Sequence, residues 1–174
     1  MNIAIIVAMS KELVLLTPLL ENKKVSHIDG YEFITGSIGK HDIIAMECGI
    51  GKVNAAMGTY ALLSHFSPDL VLSTGVAGGA DTSVNVMDVV VADRIAYHDV
   101  WCGPETIPGQ AAGMPEFFKS SKTLSSLLPE SDSVKHGLLC SGDMFIDSIE
   151  QVREIKRKFP DALAVDMESA AIAH

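Results

Sequence analysis

Four polar positions in this sequence fall where an apolar run gives way to a helix or a turn. They are Glu12 after NIAIIVAM, the glycines Gly75, Gly78 and Gly79 after Leu70-Val71-Leu72, Asp143 in SGDMF, and Asp166-Met167-Glu168 after ALAV. The strand-to-helix junctions of a parallel sheet are where such folds assemble ligand sites. The glycines let backbone approach a ligand closely. Glu168, at the mouth of a core strand, suits vicinal hydroxyls, because one carboxylate accepts two hydrogen bonds. Phe145 could stack on an aromatic ligand, and Met9 and Met167 would make soft, polarizable walls.

Each of these residues also has a plainer reading. Glu12 and Glu168 fall in the first turns of expected helices, where the dipole stabilises any surface acid. Phe145, Met9 and Met167 would ordinarily be core. The glycines could instead make a flexible turn, the less favoured reading, and Asp99 after Tyr97-His98 would be a turn acid as readily as part of a lid or subunit contact. No Ser-His-Asp order, Walker loop or GxGxxG fingerprint is present.

The elements that must position these residues follow from periodicity. Residues 2–9 read as a central strand, and Ser10 caps a helix with leucines at 13, 15, 16, 19 and 20 that Pro18 should kink or shorten. Residues 31–37 and 41–48 read as a hairpin. Gly49-Ile50-Gly51-Lys52 leads into a helix of small and apolar residues, VNAAMGTYALLSHF, suited to packing flat on a sheet. Leu70–Leu72 reads as a fully buried strand, and Asn85–Tyr97 as another strand long enough to bend. Residues 100–118, with three prolines and three glycines, are irregular. A short helix is expected over 119–128, a strand over Gly137–Ile146, and an amphipathic helix over 147–158 capped by Asp147. A short strand at Ala162–Val165 precedes a helix from Met167 that the chain end cuts at His174. This order gives an α/β fold, a three-layer α/β/α domain with a central mixed, mostly parallel sheet. The clipped last helix reads as a sign of truncation.

Composition excludes several classes. A net charge of −9 with no basic run leaves nothing to neutralise a nucleic-acid backbone or an anionic membrane. No stretch has the length of a membrane span, and the N-terminus lacks the features of a signal peptide. Three widely spaced cysteines without CxxC read as free thiols of a reducing cytoplasm, and six histidines show no metal-ligand spacing.

The segments AIIVAMSKE, CGIGKVNAA, STGVAGG, YHD, SGDMFI and AVDMESAAIAH, in this order and spacing, resemble one family. It is the 5′-methylthioadenosine/S-adenosylhomocysteine nucleosidases of the purine nucleoside phosphorylase-like superfamily, and the resemblance covers essentially the whole chain. It implies one nucleosidase domain over 1–174 in a cytoplasmic homodimer, without cofactor or metal. It also implies hydrolysis of an N-glycosidic bond to adenine and a thio-substituted ribose, a step of methionine salvage. The water-activating carboxylate then falls on Glu12 and the ribose-hydroxyl carboxylate on Glu168. Phe145 becomes the adenine-stacking ring, with the backbone of Ile146 beside it. Met9, Ile50 and Met167 line the ribose and thioether region, and Val76, Ala77 and Gly78 lie over the ribose face.

The sequence departs from the family pattern in three places. Valine stands at 76 where serine is often found, and aspartate at 166 where glutamate is common. The resemblance further implies a strand and helix after the last helix of this sequence, the strand carrying a Ser-Asp motif whose aspartate protonates adenine N7; no strand with that motif follows the helix from Met167 within residues 1–174. A non-catalytic or weakly active truncated fragment that folds and binds adenine nucleosides, or a nucleosidase for a related 6-amino nucleoside such as aminodeoxyfutalosine, are the alternatives. Phosphorolysis is disfavoured, since Val76, the acid at 12 and the lack of arginine before Arg94 leave little to hold phosphate.

Overall fold

In the computed structural model, which describes residues 1–128 and 131–174, the strands form two five-stranded ladders. One lies in each of two compact units, Met1–Gly75 and Val76–His174. The first unit contains β1 (Asn2–Val7), α1 (Ser10–Leu16), β2 (Glu21–Ile28), β3 (Tyr31–Ile38), β4 (His41–Glu47), α2 (Lys52–His65) and β5 (Leu70–Ser73), with strand order β2-β3-β4-β1-β5. Strand β1 runs parallel to both β4 and β5, while β2, β3 and β4 form an antiparallel meander. Residues Ala4–Val7 are buried without alternation, as expected of a central strand covered on both faces. Ile5, Val7, Ile34, Ile43 and Ala45 pack with Leu13 of α1 and Leu20. Gly58 lets α2 lie close on β4, since a Cβ there would stand 2.7 Å from that of Cys48.

The second unit contains β6 (Gly78–Gly79), β7 (Val89–Tyr97), β8 (Phe118–Lys119), α3 (Lys122–Ser125), β9 (Val134–Ser141), α4 (Ile149–Lys158), β10 (Ala162–Asp166) and α5 (Ser169–Ala173). Its order is β6-β10-β9-β7-β8, with the three central strands parallel and both edges antiparallel. Ala96, Leu138, Cys140, Ala162 and Val165 meet Ile155 and Phe159 in its core. The class is therefore α/β with mixed sheets, as expected; the second sheet is parallel at its centre, and the first is parallel only across β4, β1 and β5.

Several local expectations change. Strand β2 was not expected; its residues ENKKVSHI are largely exposed because it forms the edge of its sheet. Strand β5 is not fully buried: among the described residues it pairs with β1 alone, and Leu72 is 39% exposed. The expected strand from Asn85 starts at Val89, since Asn85 N–H donates to Asp88 and closes a turn in which Met87 has φ 76°. Phe118 pairs with β7 and buries its ring 6.0 Å from that of Tyr97, which confines the expected 119–128 helix to Lys122–Ser125. The strand expected to reach Ile146 ends at Ser141. Ser148, not Asp147, caps α4: its hydroxyl accepts from Gln151 N–H while Gln151 Oε1 accepts from Ser148 N–H, a reciprocal box. Pro18 ends α1 as expected, and a single 3-10 turn over Thr17–Leu19 follows.

Candidate functional site

In the first unit the candidate residues stand at the C-terminal ends of three adjacent parallel strands. Val7 pairs with Glu47, and Ile6 with Ser73; the chain then continues into Met9, Ile50 and Gly75. Glu12 sits in the first turn of α1, and its Oε2 accepts from the Ala8 and Met9 N–H groups, both at 3.0 Å. Two amides of the preceding turn thus hold the carboxylate and satisfy donors that the helix start leaves open. A Cβ on Gly75 would stand 2.6 Å from Glu12 Oε1, so the carboxylate fills the space a side chain would need.

Met9 and Ile50 line an open cleft of about 380 Å³ together with Ser10, Glu47 and Asn54. The loop carrying Ile50 is flanked by two left-handed glycines, Gly49 (φ 89°) and Gly51 (φ 94°). Asn54 Nδ2 donates to the Ile50 carbonyl at 2.6 Å and fixes it over the start of α2. Glu47 and Asn54 are additions to the expected set; nothing in their sequence surroundings marked them.

In the second unit the strand ends again coincide. Ser141 at the end of β9 lies opposite Tyr97 on one side and Asp166 on the other. Gly78 pairs with Val165, and a Cβ on it would come within 3.1 Å of the Val165 side chain. Val76 is 75% exposed and Ala77 is exposed too. Beyond β9 the chain turns at Gly142, which lies so close beneath His98 that a Cβ would stand 2.3 Å from the ring. Asp99 Oδ2 accepts from Asp143 N–H at 2.8 Å and so fixes this turn, giving Asp99 a defined structural part.

Phe145 emerges from that turn 76% exposed, so the core reading of its ring does not hold. Ile146 packs against the unit's core. Met167 and Glu168 are half-buried between β10 and α5. Glu168 occupies the cap position of α5, one residue ahead of the first turn in which it was expected. Burial, with the nearby charges of Asp99 and Asp143, pushes the Tyr97 hydroxyl above its ordinary value. Burial likewise pushes the Cys140 thiol up to about 12, leaving it an unreactive core group.

The phosphorylase superfamily profile matches residues 2–174. The 5′-methylthioadenosine/S-adenosylhomocysteine nucleosidase of Lysinibacillus sphaericus (strain C3-41) is 42% identical over 182 residues, covering 99% of this chain and 78% of the relative. The chain belongs to this nucleosidase family. Among solved structures, the Streptococcus pneumoniae nucleosidase with the transition-state inhibitor MT-ImmA matches with TM-score 0.95 and 39% identity, over 99% of this chain and 78% of that one. The Colwellia psychrerythraea nucleosidase in complex with adenine matches with TM-score 0.90 and 35% identity, over 99% and 75%. The fold is accordingly nucleoside phosphorylase-like.

Proposed function

We propose that this chain hydrolyses the N-glycosidic bond of 5′-methylthioadenosine and S-adenosylhomocysteine, releasing adenine and a thio-substituted ribose. The observation that carries the reading is Glu12, a carboxylate held by two backbone amides at the end of β1 and backed by a glycine that leaves it room. Water polarised by Glu12 bonds to C1′ as the C1′–N9 bond breaks and its electron pair leaves with adenine. One water proton passes to the carboxylate, which afterwards releases it to solvent, and the departing base takes up a proton from solvent. The state between is oxocarbenium-like, so a nearby anion favours it.

Glu168 accepts hydrogen bonds from the two ribose hydroxyls, and Phe145 stacks on the adenine with the Ile146 backbone beside it. Met9, Ile50 and Met167 line the ribose and thioether, with Val76, Ala77 and Gly78 over the ribose face. The exposure of Phe145 supports the first of these roles for a ring, since a ligand can reach it. No metal or cofactor enters the scheme. The related structures hold adenine or methylthio inhibitors, which supports an adenine nucleoside as substrate.

The acidic charge and the free cysteines support a cytoplasmic protein that binds neither nucleic acid nor membrane. Among the described residues no helix is long and apolar enough to cross a membrane. Val53, Met57 and Tyr60, spaced along one face of α2 and 68%, 59% and 77% exposed, support a homodimer.

The test is adenine release from 5′-methylthioadenosine by the wild type and by Glu12→Gln. The variant is expected to be slower by about a hundred- to ten-thousand-fold. Equal rates would remove Glu12 from the chemistry.

A further inference from the structure

The carboxylate of Asp166 lies at the centre of a hydrogen-bonded cluster at the strand ends of the second unit. Its Oδ1 accepts from the Ser141 hydroxyl, and its Oδ2 accepts from both the hydroxyl and the N–H of Ser169, the latter at 3.0 Å. Ser141 is fully buried, and its Oγ in turn accepts from Ala170 N–H at 2.9 Å. The first two amides of α5 are thereby both taken, one by Asp166 and one by Ser141. Behind the cluster Ala170 is fully buried and Ala171 nearly so, and Gly142 N–H donates to the Asp166 carbonyl at 3.2 Å.

The bond from Ser169 N–H to Asp166 closes a turn, and the residues inside that turn are Met167 and Glu168. The Glu168 carbonyl accepts from Ala171 and Ile172 at 2.9 and 3.1 Å, so its backbone is tied on the helix side as well. The Glu168 Cα therefore has little freedom, and its carboxylate leaves the chain from a fixed origin. An ångström of misplacement in a positioned group can cost as much as about a hundredfold, which makes the turn's closure a functional quantity.

We propose that Asp166, Ser141 and Ser169 form a positioning network that sets the direction of Glu168 toward the ribose hydroxyls. This rests on the role given to Glu168 above. None of the three touches substrate; they act through the turn. Asp166 has the right reach because its short side chain meets both groups of Ser169 while still accepting from Ser141. An amide at 166 would keep one acceptor and place a donor where two donors already point.

The experiment compares two probes by calorimetry. One is adenine; the other is 5′-methylthiotubercidin, an adenosine analogue carrying carbon in place of N7. Asp166→Asn is expected to weaken the nucleoside analogue about tenfold or more and to leave adenine within about twofold. Glu168→Gln is expected to do the same, and the double variant to be no weaker than Glu168→Gln alone. Ser169→Ala, which removes a single hydroxyl, is expected to show a smaller loss in the same direction if Asp166→Asn fails to fold. Ser169→Thr, which keeps the hydroxyl and the N–H, is expected to bind as the wild type does.

Equal weakening of both probes would reduce the cluster to a folding element and overturn the proposal. Unchanged nucleoside binding, or losses from Asp166→Asn and Glu168→Gln that simply add, would overturn it too. A wild type that binds adenine and the analogue equally well would remove the ribose role of Glu168 and the network with it. A wild type that binds neither would overturn the nucleosidase reading itself.

Discussion

Gly75 has no side chain because the Glu12 carboxylate already occupies the place of one. The nearest atoms to a Cβ at 75 are the Glu12 Oε1 at 2.6 Å and Cδ at 3.1 Å, the far end of a flexible side chain rather than backbone. Gly75→Ala should therefore displace the carboxylate more readily than it disturbs the sheet. We expect the variant to lose about tenfold or more in kcat while its Tm stays within a few degrees of the wild type, since Gly75 is exposed. Unaltered kcat would show that Glu12 tolerates displacement. Glu12 was legible in the sequence because it follows a central strand directly. Ser141 and Ser169 were not, since a serine beside a glycine or at a helix start is ordinary turn chemistry. The choice of Ser148 over Asp147 as cap was available all along in the spacing Ser148-x-x-Gln151, which pairs a hydroxyl with an acceptor three residues on.

Among the elements, α4 is tied to the loop after β6 by an ion pair. Lys156 Nζ meets Asp81 Oδ2 at 2.5 Å and the Ala162 carbonyl at 3.1 Å, and Asp81 also accepts from Ser83. The Lys156 hydrogen bond, then those of Ser83, hold the Asp81 carboxyl far below the usual carboxylate range. A folded pKa below the unfolded one gives stability that is complete above about pH 4 and lost as pH falls toward the folded value. The pair is partly solvated, so Asp81→Asn should cost only about 0.5–1 kcal/mol at neutral pH. Denaturant titration at about pH 7 and pH 3 should show the gap between wild type and variant narrowing in acid. A gap that widens in acid would contradict the assignment.

Legibility also differed between elements according to how much of each is buried. Strands β1 and β4 declare themselves through continuous apolar runs. Strand β2, an edge built from ENKKVSHI, carries the lysines and polar groups that keep edges from pairing, and these are the residues that hide a strand from periodicity. For β5 the apolar run identified the strand correctly, but composition alone could not place it at a sheet edge, where Leu72 stays partly exposed.

At the scale of the whole molecule, the family profile is that of a phosphorylase superfamily, so the chemical question is which nucleophile attacks C1′. Phosphate needs cations, and the first arginine in the chain is already committed. Arg94 pairs with Asp161 and lies 4.9 Å from the centroid of the Phe117 ring. With a net charge of −9 and a carboxylate at position 12, water is the nucleophile that the chain favours. The most direct measurement is adenine release from 5′-methylthioadenosine in phosphate-free buffer and again with saturating phosphate, with the sugar product identified. Hydrolysis predicts the same rate in both and a free thio-substituted ribose. Release that requires phosphate and yields a sugar 1-phosphate would contradict it.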